Sequence, residues 1–177
     1  MITDKAKEAA FALAVGWSSN GTTVEDCSRL SEMRKTAIDA ISQFGIANDL
    51  VYENLEKSFT NNLSNKKPDF EEIRKTLNAL TVLNTEETVN LLYKFLYELN
   101  GKRGSRCWGD KENQVFQWVI GSIRITKTTS KKIITLLYNI LRNEIFSIQE
   151  RTCAKDALID LKDNLRAIEN ADESITE

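Results

Sequence analysis

Histidine is missing from this chain of 177 residues, and its absence bears directly on catalysis. Histidine is the side chain that titrates near neutral pH, the commonest metal ligand and the usual partner of serine and cysteine nucleophiles. Its absence weighs against many enzyme classes. We therefore expect a noncatalytic protein with no catalytic residues, no cofactor and no metal site.

Cysteine is scarce as well. The three cysteines, Cys27, Cys107 and Cys153, lie far apart, are odd in number and form no C-x-x-C spacing. This number and spacing of cysteines suggests neither a disulfide framework nor a zinc site. We therefore expect reduced thiols and a cytoplasmic location.

Breaks in the chain are few, because there are only one proline and seven glycines. Alternating β-branched residues are rare, and no apolar run approaches the ~18 residues of a membrane span. Such a low number of helix-breaking residues is typical of long helices joined by short turns and predicts an all-α fold. The predicted helices cover residues 3–15, 28–44, 47–60, 69–83, 85–100, 110–125, 129–143 and 147–169.

Neither sign of charge is in excess, since 24 lysines and arginines face 26 aspartates and glutamates. The net charge of −2 gives no global attraction to nucleic acid or to an anionic membrane. We therefore expect the partner to be another protein, with an acidic segment as one candidate. Nucleic acid would require a local basic patch, and the composition predicts no oligomeric state.

The chain contains internal repeats. Residues 91–96 read LLYKFL, and residues 136–141, at an offset of 45, read LLYNIL. The apolar positions upstream of each also overlay, and two further segments fit the same pattern. The copies lie at residues 33–45, 73–83, 119–123 and 153–161. The repeating object is an antiparallel helix pair of about 40 residues, as in helical repeat proteins.

The first helices of these pairs resemble HEAT repeats. The residues that carry the resemblance are Met33-Arg34 with Ala40-Ile41, Ile73-Arg74 with Ala79-Leu80, Ile120-Gly121 with Ile123, and Ala157-Leu158 with Leu161. The proline common in the family's first helix is missing, and the third copy lacks the arginine. Armadillo and tetratricopeptide solenoids are alternatives, although the unit is longer than the ~34 residues of a tetratricopeptide repeat and lacks its Trp-Leu-Gly-Tyr pattern.

This resemblance implies a right-handed α-solenoid of about four antiparallel helix pairs in a single domain, 1–177. Residues 1–27 would form an amino-terminal cap helix and loop, 28–166 the repeats, and 167–177 a flexible acidic tail. Acidic pairs such as Glu71-Glu72 are interpreted as first-turn charges that compensate the helix dipole.

In HEAT-like solenoids the second helices usually line the concave surface, so the resemblance implies a partner-binding strip there. On a helical wheel, Asn90, Lys94 and Tyr97 lie opposite the apolar face, and Tyr93 lies at the boundary. The apolar face consists of Val89, Leu91, Leu92, Phe95, Leu96 and Leu99. The later copy offers the equivalent residues Thr135, Tyr138, Asn139 and Arg142. The other interpretation of this strip is an ordinary solvated helix face, with tyrosines that cover the core edge.

An inserted loop, residues 100–110, combines three cations with an aromatic residue. Its candidate binding residues are Lys102, Arg103, Arg106 and Trp108, which would suit an acidic peptide or a phosphate. The alternative is a tolerated surface insertion. A second basic group, Arg124, Lys127, Lys131 and Lys132, surrounds a turn that should lie on the opposite edge, so we expect the cations to be split between two places.

The sequence thus favours a noncatalytic protein-interaction module or scaffold. The alternative is a HEAT-like nucleic-acid-binding or DNA-repair enzyme. The near-neutral charge and the divided cations weigh against that alternative, which needs a basic channel.

Overall fold

The computed structural model describes residues 24–65, 67–102 and 109–173, with the side chains of all but 24–28, 111 and 164–173. These residues are all-α, as the sequence predicts, and contain no strand. The predicted helix 3–15 lies outside them. The described helices are α1 (Val24–Phe44), α2 (Asp49–Ser64), α3 (Phe70–Leu83), α4 (Glu86–Lys102), α5 (Asp110–Thr126), α6 (Lys131–Arg142) and α7 (Ile148–Glu173).

The helix ends follow local chemistry. Asn48 and Asp69 cap α2 and α3, each accepting a hydrogen bond from a backbone N–H of the first turn. Gly45, just after α1, has a φ of +62°, a left-handed conformation that glycine adopts without a Cβ penalty. The helix predicted over residues 85–100 extends to Lys102, so residues 101 and 102, which were assigned to the inserted loop, are helical.

Two compact units divide the chain, Met1–Thr88 and Val89–Glu177. Helices α1, α2 and α3 belong to the first unit, and α5, α6 and α7 belong to the second. The boundary falls inside α4, whose first turn lies in the first unit and whose remainder lies in the second.

In the first unit, α3 packs against both α1 and α2. Side-chain contacts from α1 to α3 advance together along both helices, from Ser31 with Asp69 to Asp39 with Lys75, so these helices run parallel. Contacts from α2 run in the opposite order along the chain, which makes α2 antiparallel to α3. Among the described side chains of this unit, the wholly buried apolar residues are Ile38, Ile41, Val51, Leu55, Phe59, Ile73, Ala79 and Leu80.

The second unit repeats this order of packing, because α7 packs against both α5 and α6. Phe116 of α5 stacks on Phe146, which precedes α7, with ring centroids 5.5 Å apart. Arg124 binds Asp160 across a separation of 36 residues, the same separation that joins Asp39 to Lys75, but with the charges exchanged. The two ion pairs therefore occupy equivalent places in the two units.

The predicted core of α4 is confirmed. Four residues of the LLYKFL segment, Leu91, Leu92, Phe95 and Leu96, are buried, while Lys94 and Tyr97 are exposed. Among the described helices, none combines the length and the apolarity that a membrane span requires.

Candidate functional site

An open groove of about 390 Å³ lies between α4 and α6 in the second unit. Tyr93 and Tyr97 of α4 form one wall. The other wall comes from one face of α6 and consists of Lys131, Lys132, Thr135, Leu136 and Asn139. The groove therefore combines aromatic rings, cations and hydrogen-bonding side chains.

The two tyrosines form a continuous aromatic surface. They are four residues apart on α4, so their side chains share one helix face, and their rings stack with centroids 6.1 Å apart at 27°. Tyr97 is 60% exposed although it is a large aromatic residue. Exposed tyrosines of this kind are enriched in protein interfaces, where the ring contributes contact area and the hydroxyl contributes a hydrogen bond.

The first turn of α6 carries an unusual charge. Lys131 and Lys132 occupy it, no acidic residue is present, and the Ser130 side chain makes no capping hydrogen bond. By contrast, α2, α3, α4, α5 and α7 each carry an acidic residue in the first turn. The amino terminus is the positive end of the helix dipole. The two lysines therefore place positive charge where it destabilises the helix.

The structure gathers some of the predicted strip into this groove. Tyr93, Tyr97 and Asn139 line it. Tyr138 and Arg142 are exposed on α6 and interact with each other, with the guanidinium 5.9 Å from the ring centroid. Asn90 and Lys94 are exposed on α4.

The predicted basic loop contributes less. Lys102 is the exposed last residue of α4. Arg103, Arg106 and Trp108 lie outside the described residues.

Two groove residues were missed by the sequence reasoning. Lys131 and Lys132 were grouped with Arg124 and Lys127 around a turn, whereas the structure places them beside the tyrosines. A signal was available in the sequence, since a helix that begins with two lysines and no acid departs from the usual charge pattern.

A second polar cluster is buried in the first unit. Glu72 is wholly buried, and both its carboxylate oxygens accept hydrogen bonds from Arg34, at 2.9 Å from Nε and 3.1 Å from Nη2. The Ser58 hydroxyl donates to the same carboxylate at 2.8 Å and contacts the Thr76 hydroxyl at 3.0 Å. Both glutamates lie in the first turn of α3, as the sequence predicted. Glu71 is exposed, whereas Glu72 also joins α3 to α1 and α2.

The rim of this cluster holds a charged network. The Ser31 hydroxyl donates to Asp69 at 2.7 Å, and Lys35 lies within 3.4 Å of both Asp69 and Glu71. The hydrogen bond to Glu32 raises the pKa of Lys35 against the opposing effect of burial, and Asp69 and Glu71 raise it further. Because Lys35 stays protonated, it does not act as a base toward Ser31, and the network is suited to holding helices together.

Three positions of the polar cluster correspond to apolar residues in the second unit. An offset of 85 residues aligns Asp39 and Lys75 with Arg124 and Asp160, and it aligns these three polar residues with apolar ones. The aligned pairs are Ser31 with Phe116, Arg34 with Val119, and Glu72 with Ala157. The same packing arrangement is therefore compatible with an apolar contact, and the polar cluster is a property of the first unit.

Among the described side chains there is one thiol. Cys153 of α7 is free and half-buried; burial, followed by the charge of Asp156, raises its pKa above 9.0. It is therefore protonated at neutral pH and a poor nucleophile. Within the described residues, no group of three or more metal-ligating side chains occurs.

No known family model, no curated protein and no solved structure matches this chain.

Proposed function

We propose that this protein is a noncatalytic interaction module that docks a partner protein in the α4–α6 groove. In this proposal the chain is a right-handed, HEAT-like α-solenoid of about four helix pairs, and α4 and α6 are second helices that face the partner. The observation that carries the proposal is the groove itself, in which the exposed Tyr97 stacks on the half-buried Tyr93 opposite two lysines.

The composition of the groove supports binding. Leu136 is nearly buried and provides an apolar floor, while Thr135 and Asn139 are exposed and provide hydrogen-bonding groups. An apolar centre bordered by polar groups is the usual arrangement at protein interfaces, and tyrosine is among the residues that contribute most binding energy there.

The order of packing supports the solenoid. In the first unit α3 packs against α1 and α2, in the second unit α7 packs against α5 and α6, and the two 36-residue ion pairs recur in equivalent places. A solenoid has this property, because each repeat contacts its neighbours through the same set of positions.

Photo-crosslinking in the source cell tests this function. Thr135 is exposed and lines the groove, so a benzophenone amino acid placed there should crosslink to a docked partner. We expect one or a few specific adducts, and we expect them to disappear when Lys131→Ala and Lys132→Ala are combined.

Lys155→Ala with Lys162→Ala is the matched control, because it removes the same charge from exposed sites on α7. Adducts should survive in this control. Crosslinks that persist equally in the groove variant, or that do not form at all, would show that the groove is not the docking site.

A further inference from the structure

The groove lining is ordered along α6. The lysines come first, Thr135 and Leu136 lie one turn later, and Asn139 lies a further turn along the same face. At ~1.5 Å per residue, the rise from Lys131 to Asn139 is about 12 Å. An extended peptide covers this length with about four residues at ~3.3 Å each.

The charge of the groove indicates that the bound segment is acidic. Lys131 and Lys132 are both exposed, and the positive end of the α6 dipole adds to their field. A segment with carboxylates at this end of the groove would neutralise the two cations. It would also supply the negative charge that the first turn of α6 lacks.

The other end of the groove suits a peptide backbone and an apolar side chain. The Asn139 side chain can donate to a carbonyl and accept from an N–H, the two groups that an extended peptide leaves exposed. Leu136 and the stacked rings of Tyr93 and Tyr97 offer apolar surface between the lysines and Asn139.

The directions of the two cations favour separate carboxylates over a single phosphate. Adjacent residues on a helix point about 100° apart, so Lys131 and Lys132 diverge and each can reach a different carboxylate. A single phosphate would need both ammonium groups to converge on it, because lysine binds phosphate as a point charge. The cations that line the described groove are lysines.

We infer that the α4–α6 groove binds an extended acidic segment of a partner protein, about four residues long. Its carboxylates lie against Lys131 and Lys132, and its backbone lies beside Asn139. This inference rests on the proposed function and specifies which partner chemistry the groove selects.

Fluorescence anisotropy with the full chain tests the inference. The probe is a fluorescein-labelled peptide with the core Glu-Glu-Leu-Leu between Gly-Ser flanks, and the same peptide with both glutamates changed to glutamine is its control. We expect saturable binding that weakens about tenfold for the glutamine peptide and about tenfold for the variant with Lys131→Ala and Lys132→Ala. Added salt should weaken binding to the wild type as well, because the charges are exposed.

Two further variants separate recognition from folding. The α7 control with Lys155→Ala and Lys162→Ala should bind like the wild type. A variant with Lys131→Glu and Lys132→Glu should lose the acidic peptide and gain a peptide with the core Lys-Lys-Leu-Leu, an exchange that loss of folding would not produce.

Several outcomes would overturn the inference. One is the absence of saturable binding, and another is equal binding by the alanine variant. A third is tighter binding, through the same lysines, of a phosphoserine peptide or a single-stranded oligonucleotide. If Thr135 crosslinks to a partner while the acidic peptide fails to bind, the acidic-segment inference is wrong but the docking function stands; absence of the crosslinks removes the docking function itself.

Discussion

At the scale of single residues, the Glu72 carboxylate of α3 joins α1 and α2 in the first unit. It is wholly buried, and Arg34 and Ser58 both donate to it. A buried ion pair contributes little net stability compared with apolar packing, but removal of one partner leaves the other charge without compensation. In the second unit the positions aligned with Arg34 and Glu72 hold the apolar residues Val119 and Ala157, so apolar packing takes the place of the ion pair there.

We predict that Glu72→Ala lowers the free energy of unfolding by about 3 kcal/mol, because it removes the buried acceptor of the hydrogen bonds that Arg34 and Ser58 donate. Adding Arg34→Val makes both positions apolar, as Val119 and Ala157 are in the second unit, and the double variant should recover part of the loss. Urea denaturation measures both. Glu71→Ala is the control, with an expected loss of about 0.5 kcal/mol or less, since Glu71 is exposed. A double variant less stable than Glu72→Ala would contradict this account.

Asp69 gives the protein a pH-dependent element of stability. Burial alone would raise its pKa, but the hydrogen bonds from the Ser31 hydroxyl and the Glu72 backbone N–H, together with the charge of Lys35, hold the pKa below 3.8. Because the pKa is lower in the folded state, the ionised carboxylate stabilises the fold above the unfolded pKa. This stability is lost as the pH falls through the folded pKa.

We predict that the stability advantage of the wild type over Asp69→Asn is largest near neutral pH and shrinks below about pH 4. Asparagine can keep the helix cap but cannot ionise, so the comparison isolates the charge. Chemical denaturation at a series of pH values measures the difference. A constant difference across the acidic range would show that the Asp69 charge does not contribute.

At the scale of the helix, α6 departs from the charge pattern of its neighbours. Its amphipathic sequence buries Ile133, Leu136, Leu137 and Ile140, so tertiary packing holds it in place despite the first-turn lysines. Departures from a local rule tend to occur at functional sites, where another requirement outweighs local stability. The groove supplies such a requirement in the proposed function.

We predict that Lys131→Glu combined with Lys132→Glu stabilises the protein by about 1 kcal/mol, because two anions replace two cations at the positive end of the α6 dipole. Thermal unfolding at low salt measures the change, and high salt should reduce it. Lys155→Glu with Lys162→Glu, in the body of α7, should change stability little. A loss of stability in the α6 variant would mean that the lysines contribute to the fold itself.

At the scale of the whole molecule, the chain consists of two compact units with the same internal order of packing. If it is a solenoid, its stability is a sum over neighbouring contacts and a local defect should remain local. Amide hydrogen exchange distinguishes the units, because partial opening exposes only the amides of the segment that opens.

We predict that Glu72→Ala reduces the hydrogen-exchange protection of α1, α2 and α3 more than that of α5, α6 and α7. Native-state exchange followed by mass spectrometry measures both sets of amides in one sample. Equal loss of protection in both units would indicate a single cooperative core and would argue against the solenoid.

Much of the fold followed from the sequence because helices form through local interactions. The apolar periodicity, the capping residues Asn48 and Asp69, and the glycine at residue 45 act within a few residues, and the predicted helices that lie in the described chain are all present. The buried face of α4 was predicted for the same reason, since a helical wheel places Leu92, Phe95 and Leu96 together.

The candidate site depends on how distant segments pack. Glu71 and Glu72 are adjacent in the chain, yet one is exposed and the other wholly buried, because about 100° of helical rotation turns Glu72 toward α1 and α2. Lys131 and Lys132 were likewise grouped with Arg124 and Lys127 around a turn, whereas the packing of α4 brings Tyr93 and Tyr97 beside them. Periodicity specifies which face of a helix is apolar, but only packing specifies what lies opposite the polar face.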